Sequence, residues 1–410
     1  MPLNSTRRNK DGALFDRRRL KLLPLANYRI RYFLHLLVSR RDWRNARSFV
    51  WATLFARDAG LAMQDVLYRR FPRLGPYPRQ LEVEVTTACN LKCVICEHTY
   101  WTEKPRNMTF DQFKTVIDQF PGLRWIGMTG IGSGFLNPDY MKMLRFLKEE
   151  KSCFVEFFDH FFMLNEDIAR ELVEIGINKI WVSLESVSRE SYNRTRVGSD
   201  FDRVLTNIRA LVRIKRELRS PIPELWFHFI INTYNVDEME QYVELVADLC
   251  KEEQGLSAPI IYWTNLLPFN ETEGLVAAIS PERMREIEEK CRAKGIFPIV
   301  NENVTCDKPM SSCTKWNEPF ILVTGHVQPC CALNEANDRP YQEQHAFLNL
   351  LESDFRTWWY SSRKDEFLHN LARGVVNPVC KNCHIFRHPE ADEPISIRDY
   401  ERKKGRLGES

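Results

Sequence analysis

From about residue 80 to residue 270 the chain alternates two kinds of apolar pattern. Short runs rich in β-branched and aromatic residues, at 81–86, 124–129, 154–159, 179–184, 225–231 and 259–263, read as strands. Between them apolar residues recur at helical spacing, over 110–119, 138–150, 165–175, 202–218 and 236–252. Thr109 ahead of Asp111 and Gln112, the run Asn137-Pro138-Asp139, and Asn235 ahead of Asp237 and Glu238 mark helix starts. Six strands joined by helices predict a parallel sheet with right-handed crossovers, either a partial barrel or an open doubly wound sheet. In both, ligands sit beyond the C-terminal ends of the strands.

The flanks differ from this middle. Leu25, Tyr28, Tyr32, Phe33, Leu36 and Leu37 recur at helical spacing, as do Val50, Trp51, Leu54 and Phe55. After the alternating region, 281–294 reads as a helix and a turn at Thr324-Gly325 joins two short strands into a hairpin. A long helix is expected over 355–372. The chain therefore divides into a helical extension (1–78), a core (79–270) and a C-terminal domain (271–410).

Charge sharpens the first boundary. Residues 1–80 hold 18 Lys and Arg against 5 Asp, while the 410-residue chain is only +3. Two readings stand. The helices pack on the outside of a barrel with their arginines solvated or paired, or they meet an anionic partner, of which a membrane surface is the sharpest version. No nucleic-acid motif accompanies the charge, and nucleic acid is not an expected partner.

With 44% hydrophobic and 28% charged residues the chain can bury a full core, which excludes disordered and low-complexity classes. The longest apolar runs fall short of a membrane span, and no apolar segment follows the early arginines. A cytoplasmic location is expected, with peripheral attachment to the inner membrane surface as the variant that residues 1–78 suggest. In a reducing compartment twelve cysteines point to metal or redox chemistry rather than disulfides.

Cys89, Cys93 and Cys96 present three thiolates from one loop after the first strand. Structural zinc wants four protein ligands, whereas three with no fourth nearby describe a [4Fe–4S] cluster with one iron open. His98 is too close in sequence to wrap round the cube, and a surface or supporting role suits it better. Cys313, Cys330, Cys331, Cys380 and Cys383 gather near the C-terminus, where the hairpin brings Cys330 back towards Cys313. Spacing alone allows structural zinc or a second iron–sulfur cluster there. Cys331 is expected as a buried thiol, Cys306 as an alternative ligand or hydrogen donor, and Cys153, Cys250 and Cys291 as core residues.

The run from Thr86 to Cys96, Thr-Thr-Ala-Cys-Asn-Leu-Lys-Cys-Val-Ile-Cys, resembles the signature of the radical S-adenosylmethionine (SAM) enzymes. The resemblance spans 81 to about 235 and implies an α/β fold built on a partial (β/α)6 TIM-like barrel, flanked by the basic helical extension and a small cysteine-rich α+β domain. It further implies that the open iron chelates the SAM methionine, and that reductive cleavage, fed by a flavodoxin or ferredoxin, yields a 5′-deoxyadenosyl radical. The segment Thr129–Pro138, with Gly130, Gly132 and Ser133, resembles the stretch that holds the methionine amino group. Ser183 and Glu185 match the segment touching the SAM ribose or carboxylate, and Arg196 matches an arginine that approaches the carboxylate. Two departures stand out: Ser133-Gly134 replaces the frequent Glu-Pro, and Ile95 replaces an aromatic residue over adenine.

The C-terminal cysteines resemble the auxiliary-cluster domain found after such barrels, nearer its shortened "twitch" form than the full SPASM form. This implies Cys313, Cys330, Cys380 and Cys383 as ligands of an auxiliary [4Fe–4S] cluster. A fully ligated auxiliary cluster suits electron acceptance, so an oxidoreductase acting on a small, polar, carbohydrate-like or lipid-linked molecule is expected. A SPASM-type peptide maturase and a non-catalytic iron–sulfur electron carrier are the alternatives. Asp159, His160, Glu185, His228 and Asn232 are the candidate proton acceptors at the barrel mouth.

Overall fold

The computed structural model describes residues 23–54, 63, 66–67, 70–71, 77–253, 256–266, 270–301, 311, 313–331, 339–375 and 378–380. Its strands, in chain order, are β1 Gln80–Val83, β2 Lys92–Cys93, β3 Trp125–Met128, β4 Phe154–Asp159, β5 Lys179–Ser183 and β6 Arg196–Val197. They continue with β7 Glu224–Ile231, β8 Ile260–Asn265, β9 Phe297–Asn301, β10 Phe320–Ile321 and β11 Val327–Gln328. Nine of them form one sheet in the order β11-β10-β1-β3-β4-β5-β7-β8-β9, with every pairing parallel except β10–β11. β9 and β11 are its two edges. The six expected strands follow one another in it, with helices between, as a partial (β/α) barrel requires.

Strand alternation gives the sheet two faces. Leu81, Val83, Ile126, Val155, Phe157, Ile180, Val182, Phe227 and Phe229 join the main core against the helices. The alternate positions Trp226 and Ile260 form a second cluster with Trp181, Tyr262, Phe297 and Ile299, lining the concave face. β9 is one strand more than the sequence suggested. Pro298 interrupts its short apolar run, yet an edge strand tolerates a residue without an N–H.

The helix starts are partly as expected. Thr109 accepts from Gln112 N while the Gln112 side chain accepts from Thr109 N, a capping box for Phe110–Asp118. Asn165 caps Glu166–Ile175. Asn137 and Asn235, expected as caps, act instead as bolts. Asn137 Nδ2 donates to the Val85 and Met108 carbonyls at 2.8 Å, and Asn235 Nδ2 donates to those of Glu185 and Ile230. The helix expected over 355–372 is two, Phe355–Trp359 and Ser362–Ala372, separated at Tyr360-Ser361.

The extension forms the helices Leu23–Leu34, continued by a π turn, and Trp43–Leu54. They lie under the N-terminal ends of the strands rather than along the barrel's side. Tyr32, Leu36, Ala46 and Phe49 pack on Trp125 and Phe154, the first residues of β3 and β4, and on Ile222. The Tyr32 hydroxyl meets Asn178 Nδ2 just before β5. Buried Lys148 donates at 2.7 Å to Asn45 Oδ1, Asn178 Oδ1 and the Cys153 carbonyl, and burial pushes its pKa down to about 7. Two of the basic residues cap barrel helices: Arg40 donates to the carbonyls of Val173 and Glu174, and Arg44 to that of Glu150. Gly176, at φ +82°, leaves the room Arg40 needs, since a Cβ there would stand 2.6 Å from Nη1. Part of the basic charge is thus structural.

Candidate active site

The loop after β1 carries Cys89, Cys93 and Cys96 at the C-terminal end of the barrel, where the fold places ligands. It is fastened on three sides. β2, which contains Cys93, pairs antiparallel with β6, setting Cys93 opposite Arg196, and Val94 N donates to the Thr195 carbonyl at 2.9 Å. The glycine-rich segment after β3 closes from another side, where Ser133 N donates to the Ala88 carbonyl at 2.7 Å. Gly132 is required for that approach, because a Cβ would lie 2.5 Å from the Thr86 carbonyl oxygen and 2.7 Å from that of Ala88. His98 Nε2 contacts the Thr87 carbonyl at 2.9 Å and braces the loop from its far end.

Burial raises the pKa of each thiol of the loop. Cys93 is pushed up to about 11, with the Glu185 carboxylate and Cys89 adding to the effect, and Cys96 to about 12, with Cys93 and Cys89 adding. Three mutually repelling thiolates in a dry loop are a donor set that wants positive charge between them, and iron supplies it. Among the described residues no three His, Cys, Asp or Glu side chains converge on a single metal position. The thiolates of a cube bind different irons, so a [4Fe–4S] cluster needs no such single point of convergence.

Arg196 sits at the hinge of the site. Its Nε donates to Glu185 Oε2 at 2.6 Å, its Nη2 pairs with Glu185 Oε1, and its Nη1 lies 3.7 Å from Cys93 Sγ. The two residues that sequence analysis assigned separately to SAM are therefore a buried ion pair beside the cluster loop. Ile95 is buried with Leu91, Cys93 and Leu266 against Phe162, Ile230 and Leu275, an apolar shelf beside the thiols. Ser133 Oγ, Asp159 Oδ2 and His160 Nε2 are buried and make no hydrogen bond among the described residues. Ser183 ends β5, half-buried, and Gly130 packs its backbone against Glu84.

The proton-acceptor candidates separate. Asp159 shares its strand face with Val155 and Phe157; Oδ1 accepts from Phe161 N at 2.6 Å, and burial raises its pKa to about 7. Burial drives His160 and His228 down to about 3, so both are neutral at ordinary pH. Asn232 is spent on its own turn, bonding Ile230 O and Tyr234 N. His228 lies on the concave face with Nε2 2.8 Å from Thr264 Oγ1, among the rings of Phe158, Trp181 and Tyr262. Phe158 and Trp181 stack at 5.0 Å and 7°, and Phe158 is 40% exposed, an open aromatic wall. Glu82 and Glu156 share this lumen; burial raises the Glu82 pKa, opposed by a hydrogen bond from Cys331 and augmented by Glu156. Sequence analysis missed these aromatic and acidic residues, because both faces of the strands are apolar and alternation alone does not tell inner from outer.

The C-terminal hairpin joins the barrel directly. β10 pairs parallel with β1, Glu82 opposite Phe320 and Val83 opposite Ile321. The turn is at Gly325, φ +85°, as the sequence predicts. Cys330 follows two residues after β11, and Cys313 and Cys380 pack on the edge of the main core. Cys331 is exposed as a residue, but its thiol turns inward onto Glu82 and burial raises its pKa well above the ordinary value, so the thiol itself is buried as expected. Cys153, Cys250 and Cys291 are core residues. Cys306 and Cys383 lie outside the described residues.

Residues 83–246 match the model of the radical SAM superfamily, and residues 313–384 match that of the SPASM iron–sulfur cluster-binding domain. The chain belongs to the radical SAM superfamily. The first domain uses SAM with [4Fe–4S] chemistry, and the second is an iron–sulfur cluster-binding domain. Among known proteins this radical SAM chain is similar to the tungsten-containing aldehyde ferredoxin oxidoreductase cofactor-modifying protein of Pyrococcus furiosus. The two are 25% identical over 332 residues, 75% of this chain and 87% of that one. A probable GTP 3′,8-cyclase of Methanocaldococcus jannaschii is 23% identical over 273 residues, 63% of this chain and 86% of the other. The SAM-bound structure of Streptococcus suis SuiB superposes with a TM-score of 0.57 at 14% identity, covering 78% of this chain and 75% of that one, a likeness of fold.

Proposed function

We propose that this radical SAM enzyme removes a hydrogen atom from a small, polar, ring-bearing substrate in the barrel lumen and completes a net two-electron oxidation. In this reading Cys89, Cys93 and Cys96 hold the first [4Fe–4S] cluster, and Cys313, Cys330, Cys380 and Cys383 hold the auxiliary one. When bound, the first cluster and SAM supply a carbon-centred radical. The chain's own residues do the rest. Ser133 Oγ and the backbone of Gly130–Gly132 receive the SAM amino group, Ile95 packs on the adenine, and Ser183 lies towards the ribose. Arg196, held by Glu185, sets the electrostatics at Cys93 and bounds the carboxylate side of the pocket. Neutral His228, oriented by Thr264, accepts a hydrogen bond from a substrate hydroxyl.

The observation that carries the substrate class is the open stacked pair of Phe158 and Trp181 above the carboxylates Glu82 and Glu156. Flat aromatic faces with hydrogen-bonding groups at their rim suit sugars and other ring compounds. The names of the Pyrococcus and Methanocaldococcus relatives, a cofactor-modifying protein and a nucleotide cyclase, agree with a small-molecule substrate. A peptide substrate is the second reading, favoured by one observation: SuiB, of similar fold, has been captured with its precursor peptide.

The test is anaerobic SAM cleavage with dithionite or reduced flavodoxin, read as 5′-deoxyadenosine, with and without candidate ring compounds and peptides. Ring compounds should accelerate cleavage, and Phe158→Ala should raise KM for them about tenfold with SAM affinity unchanged. Acceleration by peptides alone would transfer the assignment to peptide maturation. Absence of SAM cleavage by a fully reconstituted protein would defeat both.

A further inference from the structure

Of the sixteen large apolar side chains exposed among the described residues, ten fall within 30–71. Six of these lie on the two helices of the extension in regular stripes. Ile30, Leu34 and Val38 recur every four residues on the first, and Trp43, Val50 and Leu54 run along one side of the second. Val38 and Trp43 are each 71% exposed. Both helices already bury their other sides through Tyr32, Leu36, Ala46 and Phe49, so the stripes are surplus to packing. Exposed Arg41 and Arg47 edge them, while Arg44 turns its guanidinium onto the Glu150 carbonyl. The acid in the same stretch, Asp42, is turned onto Asn45, accepting its backbone N–H and its side-chain amide.

We propose that this face docks on an anionic lipid surface. An apolar stripe on helices with arginines along its edge and a tryptophan at its rim is the composition that lies in a headgroup layer. Charge complementarity selects lipid over a second copy of the chain. With exposed Arg41 and Arg47 beside the stripes and Asp42 turned onto Asn45, two such faces would repel, while anionic headgroups attract both. No helix among the described residues is long and apolar enough to cross a membrane, so the contact is peripheral.

The placement also orients the enzyme. The docking face lies beneath Trp125, Phe154 and Ile222 at the N-terminal ends of the strands, and the cysteine loop lies beyond their C-terminal ends. The eight residues of β7 separate the two by about 25 Å. The barrel mouth therefore opens away from the bilayer, towards substrates delivered from the aqueous side. This inference is independent of which substrate the barrel takes.

The test is flotation of the full-length, cluster-loaded protein with phosphatidylcholine vesicles, with and without about 30% phosphatidylglycerol. The protein should float with the anionic vesicles only. Val38→Asp/Trp43→Asp/Leu54→Asp, all at exposed positions, should weaken binding at least about tenfold, as should Arg41→Glu/Arg47→Glu. SAM cleavage should be unchanged in both variants, which shows that they fold. Equal binding to neutral vesicles, or none to either, would overturn the proposal. So would loss of binding in the arginine variant alone, which means adsorption without insertion. A concentration-dependent dimer abolished by the apolar variant, without vesicle binding, would assign the face to a second copy.

Discussion

Glu84 and Arg339, 255 positions apart, form a buried ion pair that fastens the C-terminal domain to the first strand's end. Arg339 Nη2 lies 2.9 Å from Oε1 and 3.0 Å from Oε2 of the carboxylate. The same carboxylate accepts from Val323 N in the hairpin and Ile131 N in the glycine-rich segment. One side chain thus touches the parts assigned to SAM, to the auxiliary cluster and to the barrel.

Arg339→Met should expose the cost of that arrangement. Burial already raises the Glu84 pKa, and loss of Arg339 raises it further. A folded pKa above the unfolded one means stability that is present at acid pH and lost as pH rises. The variant should be destabilised by about 3–5 kcal/mol at pH 8 and by clearly less at pH 5, measured by urea unfolding. Equal deficits at both would show that the carboxyl never takes up a proton.

Iron content divides the two proposed clusters. Anaerobically reconstituted protein should hold about eight irons, and the Cys89/Cys93/Cys96→Ala variant about four with SAM cleavage abolished. Four irons falling to none would leave the C-terminal cysteines without an iron cluster.

Gly132→Ala should damage SAM binding without emptying the cluster site. The added Cβ meets the backbone carbonyls of Thr86 and Ala88 at 2.5 and 2.7 Å, so the glycine-rich segment must draw back from the cysteine loop. SAM affinity, measured by equilibrium binding, should fall at least about tenfold, with iron content kept.

Asp159 makes the fold pH-sensitive. Its folded pKa of about 7 lies above the ordinary value of 3.8, so the folded state binds the extra proton between them. Stability should fall as pH rises from about 4 to about 7 and level off above. Asp159→Asn should remove that slope and gain about 1–3 kcal/mol at pH 8 in thermal or urea unfolding. A slope unchanged in the variant would place its origin elsewhere.

The barrel and its first cluster loop were legible because each rests on local pattern. Strands buried on both faces read as apolar runs, and three cysteines on one loop need no long-range information. Polar residues were harder, since a side chain shows its capacity and not its partner. Asn137 and Asn235 carry the signal of a helix cap, yet each spends its amide on distant carbonyls. Glu185 and Arg196 each pointed to the SAM site, but their mutual pairing appears only when β6 folds onto β2. Glu84 with Arg339 had no signal at all, being one acid and one base far apart in the chain.

The pairing of β10 with β1 has a consequence for how the protein is made. β1 leaves the ribosome early, but the strand that covers its outer edge is encoded some 240 residues later, Glu82 waiting for Phe320. Through most of synthesis that edge presents free N–H and C=O groups to any strand that comes by. The sheet is therefore sealed last at the side where it began, and a truncated chain ending before the hairpin would be left with an open, aggregation-prone flank.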